Sequence, residues 1–321
     1  MAKLFLLSKW KVVGLDAMTD YYDVGLKKSR IKLLVENINF YSYMGLIEDS
    51  KLLDEICSKH NPKIIIHLAA QAGVRYSIEN PISYLESNLI GTFHILEMAK
   101  KNKPDHLLMA STSSVYGSNK EMPMHENQRC DTPMSFYAAT KKSNEVMAHS
   151  YSHLYNIPTT MFRFFTVYGP WGRPDMALFL FTKAAIEGKP IDVFNFGDMS
   201  RDFTYIDDIV KGIRLVIDNP AKSNNEWSGK SPASSSSSAP FKIYNIGNNS
   251  PVKLLDFIEH IERKIGIKVI KNLVEIQPGD VPSTFASVDD LKNDLDYKSS
   301  FSVKEGISNF IDWYIEYYKI K

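Results

Sequence analysis

The chain has 321 residues, of which 44% are hydrophobic and 23% are charged, as in a globular protein with a sizeable core. Its 38 basic and 37 acidic residues leave a net charge of +1, which argues against nucleic acid or an acidic protein as a partner. Lys9 and Lys11 interrupt the apolar start, so no membrane span is expected there and a cytoplasmic location is predicted. Cys57 and Cys130 match no metal-binding spacing and are expected to be reduced thiols.

The first half of the chain alternates strand and helix patterns. A β-branched run at 11–16 precedes a helical pattern at 52–58 and a continuous apolar run at 63–70. Such a run is typical of a strand buried on both faces of a parallel sheet. Further helices are predicted at 81–100 and 135–155, and further strands at 106–110 and 159–165. This alternation predicts an α/β fold with a Rossmann-like, doubly wound parallel sheet.

The second half has shorter elements and predicts a smaller C-terminal α/β domain. Helices are expected at 176–187, 206–217, 252–265 and 303–318, and a strand at 191–194. The division is placed between 1–170 and 171–321. Within 219–240 the composition becomes serine-rich, with too few apolar side chains to offset the entropy of ordering. A mobile surface loop is therefore predicted there.

Tyr137 and Lys141 are four residues apart in a predicted helix, so the phenol and the ammonium share one face. A phenol titrates near pH ~10 and is a poor base at neutrality. A nearby positive charge favours the phenolate and brings its pKa toward the working range. Because the spacing is common, a Tyr and a Lys that merely share an amphipathic helix are the alternative.

Hydroxyl-bearing side chains follow the predicted strand at 106–110, among them Thr112, Ser113 and Ser114. The carboxyl ends of parallel strands are where open α/β sheets bind ligands. A hydroxyl there can bond a substrate alcohol and share its proton with a phenol. The alternative is a Ser/Thr turn that only caps the next segment. The Tyr137/Lys141 pair farther along the chain favours the functional interpretation.

Several segments form a wider pattern: Leu-Ala-Ala-Gln-Ala-Gly-Val-Arg at 68–75, the Thr112 turn, Tyr-Ala-Ala-Thr-Lys at 137–141, Phe-Thr-Val-Tyr-Gly-Pro-Trp-Gly-Arg-Pro-Asp-Met at 165–176, Arg-Asp-Phe-Thr-Tyr-Ile-Asp-Asp at 201–208 and Gln-Pro-Gly-Asp-Val at 277–281. Together they resemble the NAD-dependent epimerase/dehydratase family of extended short-chain dehydrogenases, and within it the UDP-glucuronate 4-epimerase branch. Only the segment around Arg173 is specific by itself. The resemblance covers nearly the whole chain, except the serine-rich run and the start.

The resemblance implies an NAD-dependent isomerase that interconverts UDP-glucuronate and UDP-galacturonate. Tyr137 would take the proton of the sugar C4 hydroxyl, with Thr112 in the hydroxyl relay, and Lys141 would also bond the nicotinamide ribose. Hydride would pass to NAD and return to the other face of a 4-keto intermediate, so that no cofactor is consumed. As in many family members, a homodimer is expected through the helices at 81–100 and 135–155.

The resemblance also implies binding residues in both halves. The residues expected to bind the cofactor are Asp16, Leu68, Ala69, Ala70, Gln71, Asn88, Tyr137, Lys141, Phe164 and Val167. The residues expected to bind the substrate are Arg75, Ser113, Ser114, Thr166, Arg173, Asn195, Arg201 and Asp280. Residues 1–170 would then bind the dinucleotide, and residues 171–321 mainly the nucleotide sugar.

Individual roles follow from the same resemblance. Asp16 would hold the adenosine ribose hydroxyls, and Arg75 the diphosphate or an edge of the cofactor pocket. Arg201 would hold the diphosphate, with Asn195 and Asp280 near the uridine. Arg173 would face the uronate carboxylate, because a guanidinium presents paired planar donors that fit a carboxylate. The alternative for Arg173 is a surface ion pair with Asp175.

Two features depart from the family pattern. A Rossmann domain opens with a strand and a glycine-rich turn that approaches the cofactor pyrophosphate. Here Asp16 follows Met1 by only fifteen residues, and Gly14 and Gly25 do not replace that turn. We therefore expect that the first strand and turn are missing and that NAD binding and activity are weak. The second departure is Leu46, which stands where relatives carry an acid that contacts adenine.

Other functions stay open at this point. They are a different UDP-hexose or UDP-hexuronate epimerase, a dehydratase, a decarboxylase, or a non-catalytic nucleotide-sugar binder with impaired NAD binding. Dehydratases and decarboxylases of the family usually carry an acid directly after the catalytic Thr or Ser. Here Ser113 and Ser114 follow Thr112, which favours an epimerase.

Overall fold

The strand and helix patterns of the sequence form eleven strands and twelve helices within residues 1–320, which the computed structural model describes. The strands are β1 Val12–Asp16, β2 Phe40–Met44, β3 Ile64–His67, β4 His106–Thr112, β5 Thr159–Phe164, β6 Thr166–Tyr168, β7 Ile191–Val193, β8 Ser200–Tyr205, β9 Phe241–Ile246, β10 Pro251–Lys253 and β11 Lys271–Leu273. The helices are α1 Ala2–Leu7, α2 Val24–Lys32, α3 Ser50–His60, α4 Tyr76–Glu79, α5 Pro81–Tyr84, α6 Thr92–Asn102, α7 Phe136–Tyr155, α8 Ala177–Glu187, α9 Ile206–Ile217, α10 Leu254–Ile265, α11 Asp289–Leu295 and α12 Val303–Tyr318.

The chain forms two compact units, each discontinuous in sequence. The first unit contains Met1–Val115, Ser135–Phe162 and Ile217–Ile243. The second unit contains Tyr116–Met134, Arg163–Val216 and the residues from Tyr244 onward. The prediction divided the chain once, at residue 170, whereas the polypeptide passes between the two units repeatedly.

Parallel strands give the first unit its α/β character, which confirms the predicted fold class. β1 pairs with β2 in parallel, from Val12 opposite Phe40 onward, and β3 pairs with β4 in parallel, from Ile64 opposite His106 onward. The strand orders are β1-β2 in one sheet and β3-β4-β5-β9 in another. The strands therefore do not form one continuous sheet within the described residues. The carboxyl ends of β1, β3 and β4 lead directly into Asp16, Leu68 and the Thr112 turn.

The second unit has smaller sheets. β8 lies between β6, to which it is parallel, and β10, to which it is antiparallel. β7 and β11 form a two-stranded parallel sheet. The prediction of a helix at 252–265 is wrong for its first residues, because Val252 and Lys253 pair with β8 and the helix begins at Leu254.

Helix α7 carries the Tyr137/Lys141 pair, and its ends are fixed locally. The Ser135 hydroxyl accepts a hydrogen bond from the Ala138 amide, at 3.1 Å, and so caps the first turn. Asn156 ends the helix in the left-handed conformation, at φ 52°. Ala148 anchors the helix in the first unit's core, in the same apolar cluster as Leu107 and Met161. Tyr137 and Lys141 thus lie on a helix that is capped at its start and packed into the core at Ala148.

The predicted continuous helix at 81–100 is interrupted. α5 ends at Tyr84, a π-helical turn follows over Leu85–Gly91, and α6 begins at Thr92. The hydrogen bonds of a π-helix close a loop that is one residue longer than in an α-helix, and π-helical turns are frequent at functional sites. Here it contains Asn88, which is fully buried.

The serine-rich segment is partly packed against the first unit. Ser235 and Ser237 are buried, and the Ser237 hydroxyl lies 2.8 Å from Nε2 of His149 on α7. The Ser152 hydroxyl donates to the carbonyl of Pro240. The prediction of a surface position therefore fails at Ser235, Ser237, Ala239 and Pro240, which are buried, whereas 228–232 and Ser238 are exposed. The predicted mobility of 219–240 stays a prediction.

Candidate active site

The helix that carries Tyr137 is joined to the hydroxyl turn by a buried carboxylate. Glu145, one turn after Lys141, accepts a hydrogen bond from the Ser111 hydroxyl at 2.7 Å. Its other oxygen lies 3.1 Å from Nζ of Lys142. Because Ser111 directly precedes Thr112, this bond fixes the end of β4 against α7. The structure therefore ties together the two motifs that were predicted to share the chemistry.

Lys141 is buried, and its surroundings determine its charge. Burial lowers the pKa of the Lys141 ammonium to about 8, and the Glu145 carboxylate opposes that shift. His67 is also buried, with Nε2 3.1 Å from the Thr92 hydroxyl. Burial, followed by the positive charge of Lys141, lowers the pKa of His67 to about 3, so the imidazole is neutral. Lys141 thus keeps its charge at neutral pH but is close to losing it.

The Thr112 turn begins at the last residue of β4 and continues into a short 3₁₀ segment over Ser113–Tyr116. The Thr112 hydroxyl accepts from the Ser114 amide and donates to the Ser114 hydroxyl, each at 3.2 Å. Thr112 is largely buried, whereas Ser113 and Ser114 are half-buried. This is the local capping that was weighed as the alternative. It leaves the turn at the carboxyl end of β4, where a ligand can reach the half-buried hydroxyls.

The predicted cofactor residues of the first unit lie at strand ends. Asp16 is exposed at the end of β1 and accepts the Met18 amide at 2.7 Å. Leu68, Ala69 and Ala70 are exposed after β3. Asn88 accepts the Gln71 amide at 2.8 Å and donates both to the Gln71 carbonyl and to the Thr140 hydroxyl, at 3.0 Å each. Asn88 thus holds the segment after β3 against α7.

Arg75, the last predicted ligand of the first unit, is exposed directly before α4. The remaining predicted ligands belong to the second unit. Arg201 Nη2 lies 3.0 Å from Asp280 Oδ1, and Nη1 donates to the carbonyls of Ser200 and Pro282. Asn195 adopts the left-handed conformation, at φ 49°, and its amide donates to the Asp198 carbonyl at 2.6 Å. Phe164, Thr166 and Val167 are half-buried. The structure therefore brings Arg201 and Asp280 together, although they are far apart in sequence.

Arg173 forms the ion pair that was weighed as its alternative. Nε donates to Asp175 Oδ1 at 2.9 Å, and Nη2 donates to Asp175 Oδ2 at 2.7 Å. Both side chains are about one third exposed, at 30% and 31%. A two-point bond of this kind fixes the plane of the guanidinium. Any substrate carboxylate must bind a guanidinium that already has an internal carboxylate partner.

Relatives identify the chain. The sequence model of a family described as GDP-mannose 4,6 dehydratase matches residues 1–310. Protein CapI of Staphylococcus aureus is 52% identical over 319 residues, which cover 99% of this chain and 95% of that protein. The chain belongs to the NAD-dependent epimerase/dehydratase family.

Within the NAD-dependent epimerase/dehydratase family, the chain is similar to proteins named as UDP-glucuronate 4-epimerases. A Rhizobium meliloti protein named probable UDP-glucuronate 4-epimerase is 51% identical over 309 residues, covering 96% of this chain and 91% of that protein. The UDP-glucuronic acid 4-epimerase of Bacillus cereus, solved with UDP-glucuronic acid and NAD, superposes with a TM-score of 0.86. It is 32% identical, and the match covers 99% of this chain and 95% of that one. The predicted resemblance is confirmed.

NAD is the cofactor of this family, and the first unit has groups that fit part of it. The exposed Asp16 carboxylate suits ribose hydroxyls, and the exposed residues 68–70 suit a flat nucleotide surface. The buried Lys141 ammonium suits the hydroxyls of the second ribose. These groups suit the two ribose ends of the cofactor. Weak NAD binding stays a prediction.

Three residues of the site were missed from the sequence. Glu145 could have been found, because it is four residues after Lys141 and so lies on the same helix face. His67 and Tyr84 carry no local signal, since only tertiary packing brings them near Tyr137 and Lys141. Within residues 1–320, no three His, Cys, Asp or Glu side chains are grouped as metal ligands, and no helix is long and apolar enough to cross a membrane.

Proposed function

We propose that this chain is a UDP-glucuronate 4-epimerase, which interconverts UDP-glucuronate and UDP-galacturonate by inverting C4. The observation that carries the proposal is its 51% identity, over nearly its whole length, to a protein named for that activity. The motif residues support it, because Tyr137, Lys141 and Thr112 stand on elements that Glu145 and Ser111 join.

In the proposed mechanism the chain's own residues handle the proton. The Lys141 ammonium stabilises the phenolate of Tyr137, which takes the proton of the C4 hydroxyl. The Thr112 hydroxyl bonds the C4 oxygen and belongs to the hydroxyl relay through which this proton passes to Tyr137. Bound NAD supplies the redox chemistry at C4. After the sugar ring has rotated and presents the opposite face of C4, Tyr137 returns the proton to the C4 oxygen.

The proposed substrate contacts use charge that matches a UDP-uronate. Arg173 binds the uronate carboxylate, and Arg201 binds the diphosphate. Asn195 and Asp280 bind the uridine. Arg75 and the hydroxyls of the Thr112 turn and Thr166 are proposed to contact the rest of the substrate. Burial lowers the pKa of Arg201 and the nearby Asp280 carboxylate raises it, and the guanidinium stays charged across the working range.

The experiment that tests the function is product analysis. The purified chain is incubated with NAD and UDP-glucuronate, and the nucleotide sugars are separated and identified. We expect UDP-galacturonate, and UDP-glucuronate when the reaction starts from UDP-galacturonate. A decarboxylated or dehydrated product would assign the chain to a neighbouring activity of the family. No conversion by protein that is shown to contain NAD would contradict the proposal.

The charge of Lys141 predicts the pH dependence of the reaction. Since the pKa of Lys141 is about 8, the ammonium that stabilises the Tyr137 phenolate is lost as the pH rises through 8. We therefore expect kcat to fall on the alkaline side. Glu145→Gln removes the group that raises this pKa, so the alkaline limb should move to lower pH. Initial rates of the parent chain and of Glu145→Gln between pH 6 and pH 10 measure the position of the alkaline limb.

The matched control for this pH prediction is Glu97→Gln. Glu97 is a carboxylate of the same unit that accepts the Tyr151 hydroxyl, whereas the pKa of Lys141 is shifted by burial and by Glu145. Its variant should keep the parent pH profile. An unmoved alkaline limb in Glu145→Gln would show that Glu145 does not set the charge of Lys141.

We also propose that two copies form a homodimer through α6 and α7. The support is apolar exposure on these helices and the turn before them, at Ile90, Phe93, Val146 and Leu154. Sedimentation velocity tests this homodimer, since a single species with the mass of one chain would contradict it.

The predicted cytoplasmic location stays a prediction. Cys57 and Cys130 are buried thiols outside any disulfide.

A further inference from the structure

Tyr84 links two parts of the candidate site. It is the last residue of α5, directly before the π-helical turn, and it is fully buried. The one proton of its hydroxyl is shared between the carbonyl of Gly73, at 2.5 Å, and the carbonyl of Ala72, at 3.1 Å. The hydroxyl therefore contacts two consecutive backbone carbonyls of the segment that follows β3, with the shorter bond to Gly73.

The backbone conformation of the segment that Tyr84 holds depends on its neighbours. Gly73 adopts φ +113°, a backbone conformation that residues with a side chain rarely adopt. An added Cβ would lie 3.3 Å from the Tyr21 hydroxyl and 3.5 Å from the Tyr84 hydroxyl. Gly73 is thus a flexible residue confined by neighbouring tyrosines. Arg75, a proposed ligand, is only two residues farther along the chain, so its direction depends on this turn.

The aromatic ring of Tyr84 contacts the catalytic candidate. Its centroid lies 6.0 Å from that of Tyr137, and the two ring planes meet at 72°. This edge-to-face arrangement is a favourable aromatic geometry. Since the phenol of Tyr137 must point at one sugar oxygen, a fixed neighbour for its ring limits the directions available to it.

The π-helical turn adds a second anchor on the same segment. Asn88, four residues after Tyr84, bonds both the amide and the carbonyl of Gln71. Tyr84 and Asn88 together hold residues 71–73 from one face. Tyr84 also contacts Tyr137 through its ring, so one side chain contacts both the turn and the proposed base.

We propose that Tyr84 is a positioning residue for the epimerase reaction: its hydroxyl sets the turn that carries Arg75, and its ring sets the orientation of Tyr137. This inference rests on the proposed function. It predicts that the two halves of the side chain act on different kinetic parameters. The hydroxyl should govern substrate binding, and the ring should govern turnover.

Three variants test the inference. Tyr84→Phe removes the hydroxyl and keeps the ring, whereas Tyr84→Leu removes both. Tyr297→Phe is the matched control, because Tyr297 is also fully buried and its hydroxyl donates to a glycine carbonyl, that of Gly247, at 3.3 Å in the second unit. All three are compared with the parent chain for KM and kcat with UDP-glucuronate. Amide hydrogen exchange of the peptide covering residues 70–80 is measured without substrate.

For Tyr84→Phe we expect KM to rise by about tenfold, with kcat within about twofold of the parent, and faster exchange in residues 70–80. For Tyr84→Leu we expect kcat to fall by about a further tenfold. Tyr297→Phe should lower the melting temperature without changing KM, kcat or that exchange. Parent-like KM and exchange in Tyr84→Phe would overturn the inference, and so would equal kinetic changes in Tyr84→Phe and Tyr297→Phe. Because exchange needs no turnover, it tests Tyr84 even if the chain catalyses a different reaction.

Discussion

Tyr137→Phe is expected to lower kcat for UDP-glucuronate by about 10³-fold, while the affinity for the substrate changes by less than about twofold. The substitution removes only the phenolic oxygen and leaves the ring against Tyr84. The proton of the C4 hydroxyl then has no acceptor, but the proposed contacts to the carboxylate, diphosphate and uridine remain. Initial rates and calorimetric titration with UDP-glucuronate measure the two effects separately.

The control for this variant is Tyr155→Phe. Tyr155 is the last residue of the same helix, and Lys100 stacks on the face of its ring, which the substitution keeps. Its activity should equal that of the parent. If Tyr137→Phe with bound NAD kept nearly full turnover, the proposed proton transfer would be wrong.

Arg173→Ala is expected to weaken the use of UDP-glucuronate far more than the binding of UDP-glucose. Removing the guanidinium should weaken use of UDP-glucuronate by about 2 kcal/mol, or roughly thirtyfold in kcat/KM, the lower end of the range for truncating one partner of a buried charge pair. We expect the lower end because Arg173 is one third exposed and already pairs with Asp175. Binding of UDP-glucose, which has no carboxylate, should change by less than about threefold. Titration with both nucleotide sugars measures the difference.

Asp175→Asn separates recognition from local structure. It removes the same ion pair but keeps the guanidinium, so the preference for UDP-glucuronate should remain. Equal losses for both sugars in Arg173→Ala would mean that the arginine stabilises its segment or binds the diphosphate instead.

Helices were the most predictable part of the fold. The predicted helices at 206–217 and 303–318 have the bounds that the structure shows, and α7 differs by one residue. The reason is local: apolar residues recur at helical spacing, and Ser135 and Ser302 cap the first turns through bonds within their own segments. Information of this kind is contained in the neighbouring sequence.

Elements that depend on distant partners were missed. The strands β6, β10 and β11 are three residues long, too short for a period to be recognised, and each exists through pairing with β8 or β7. The π-helical turn was predicted as ordinary α-helix. Its sequence has helical spacing, and the bonds of Asn88 to Gln71 and Thr140 arise only in the folded unit.

The site was predictable as a set of motifs but not as a network of contacts. Arg201 and Asp280 were assigned to different parts of the substrate, and the structure pairs them across 79 positions of sequence. No spacing rule relates residues so far apart. The Asp175 partner of Arg173, two residues away, could be foreseen, because a guanidinium and a nearby carboxylate need no tertiary contact to meet.

The order in which the chain is made bears on how the first unit can form. Its segments end at Val115, Phe162 and Ile243, and the last of them includes the start of β9, which closes one edge of the β3-β4-β5-β9 sheet. Synthesis proceeds from the N-terminus, and domains usually fold as whole units. In a nascent chain, β3, β4 and β5 therefore lack their final neighbour until β9, at Phe241–Ile246, has been synthesised. Until then the apolar strands depend on delayed collapse or on chaperones for protection against association with other chains.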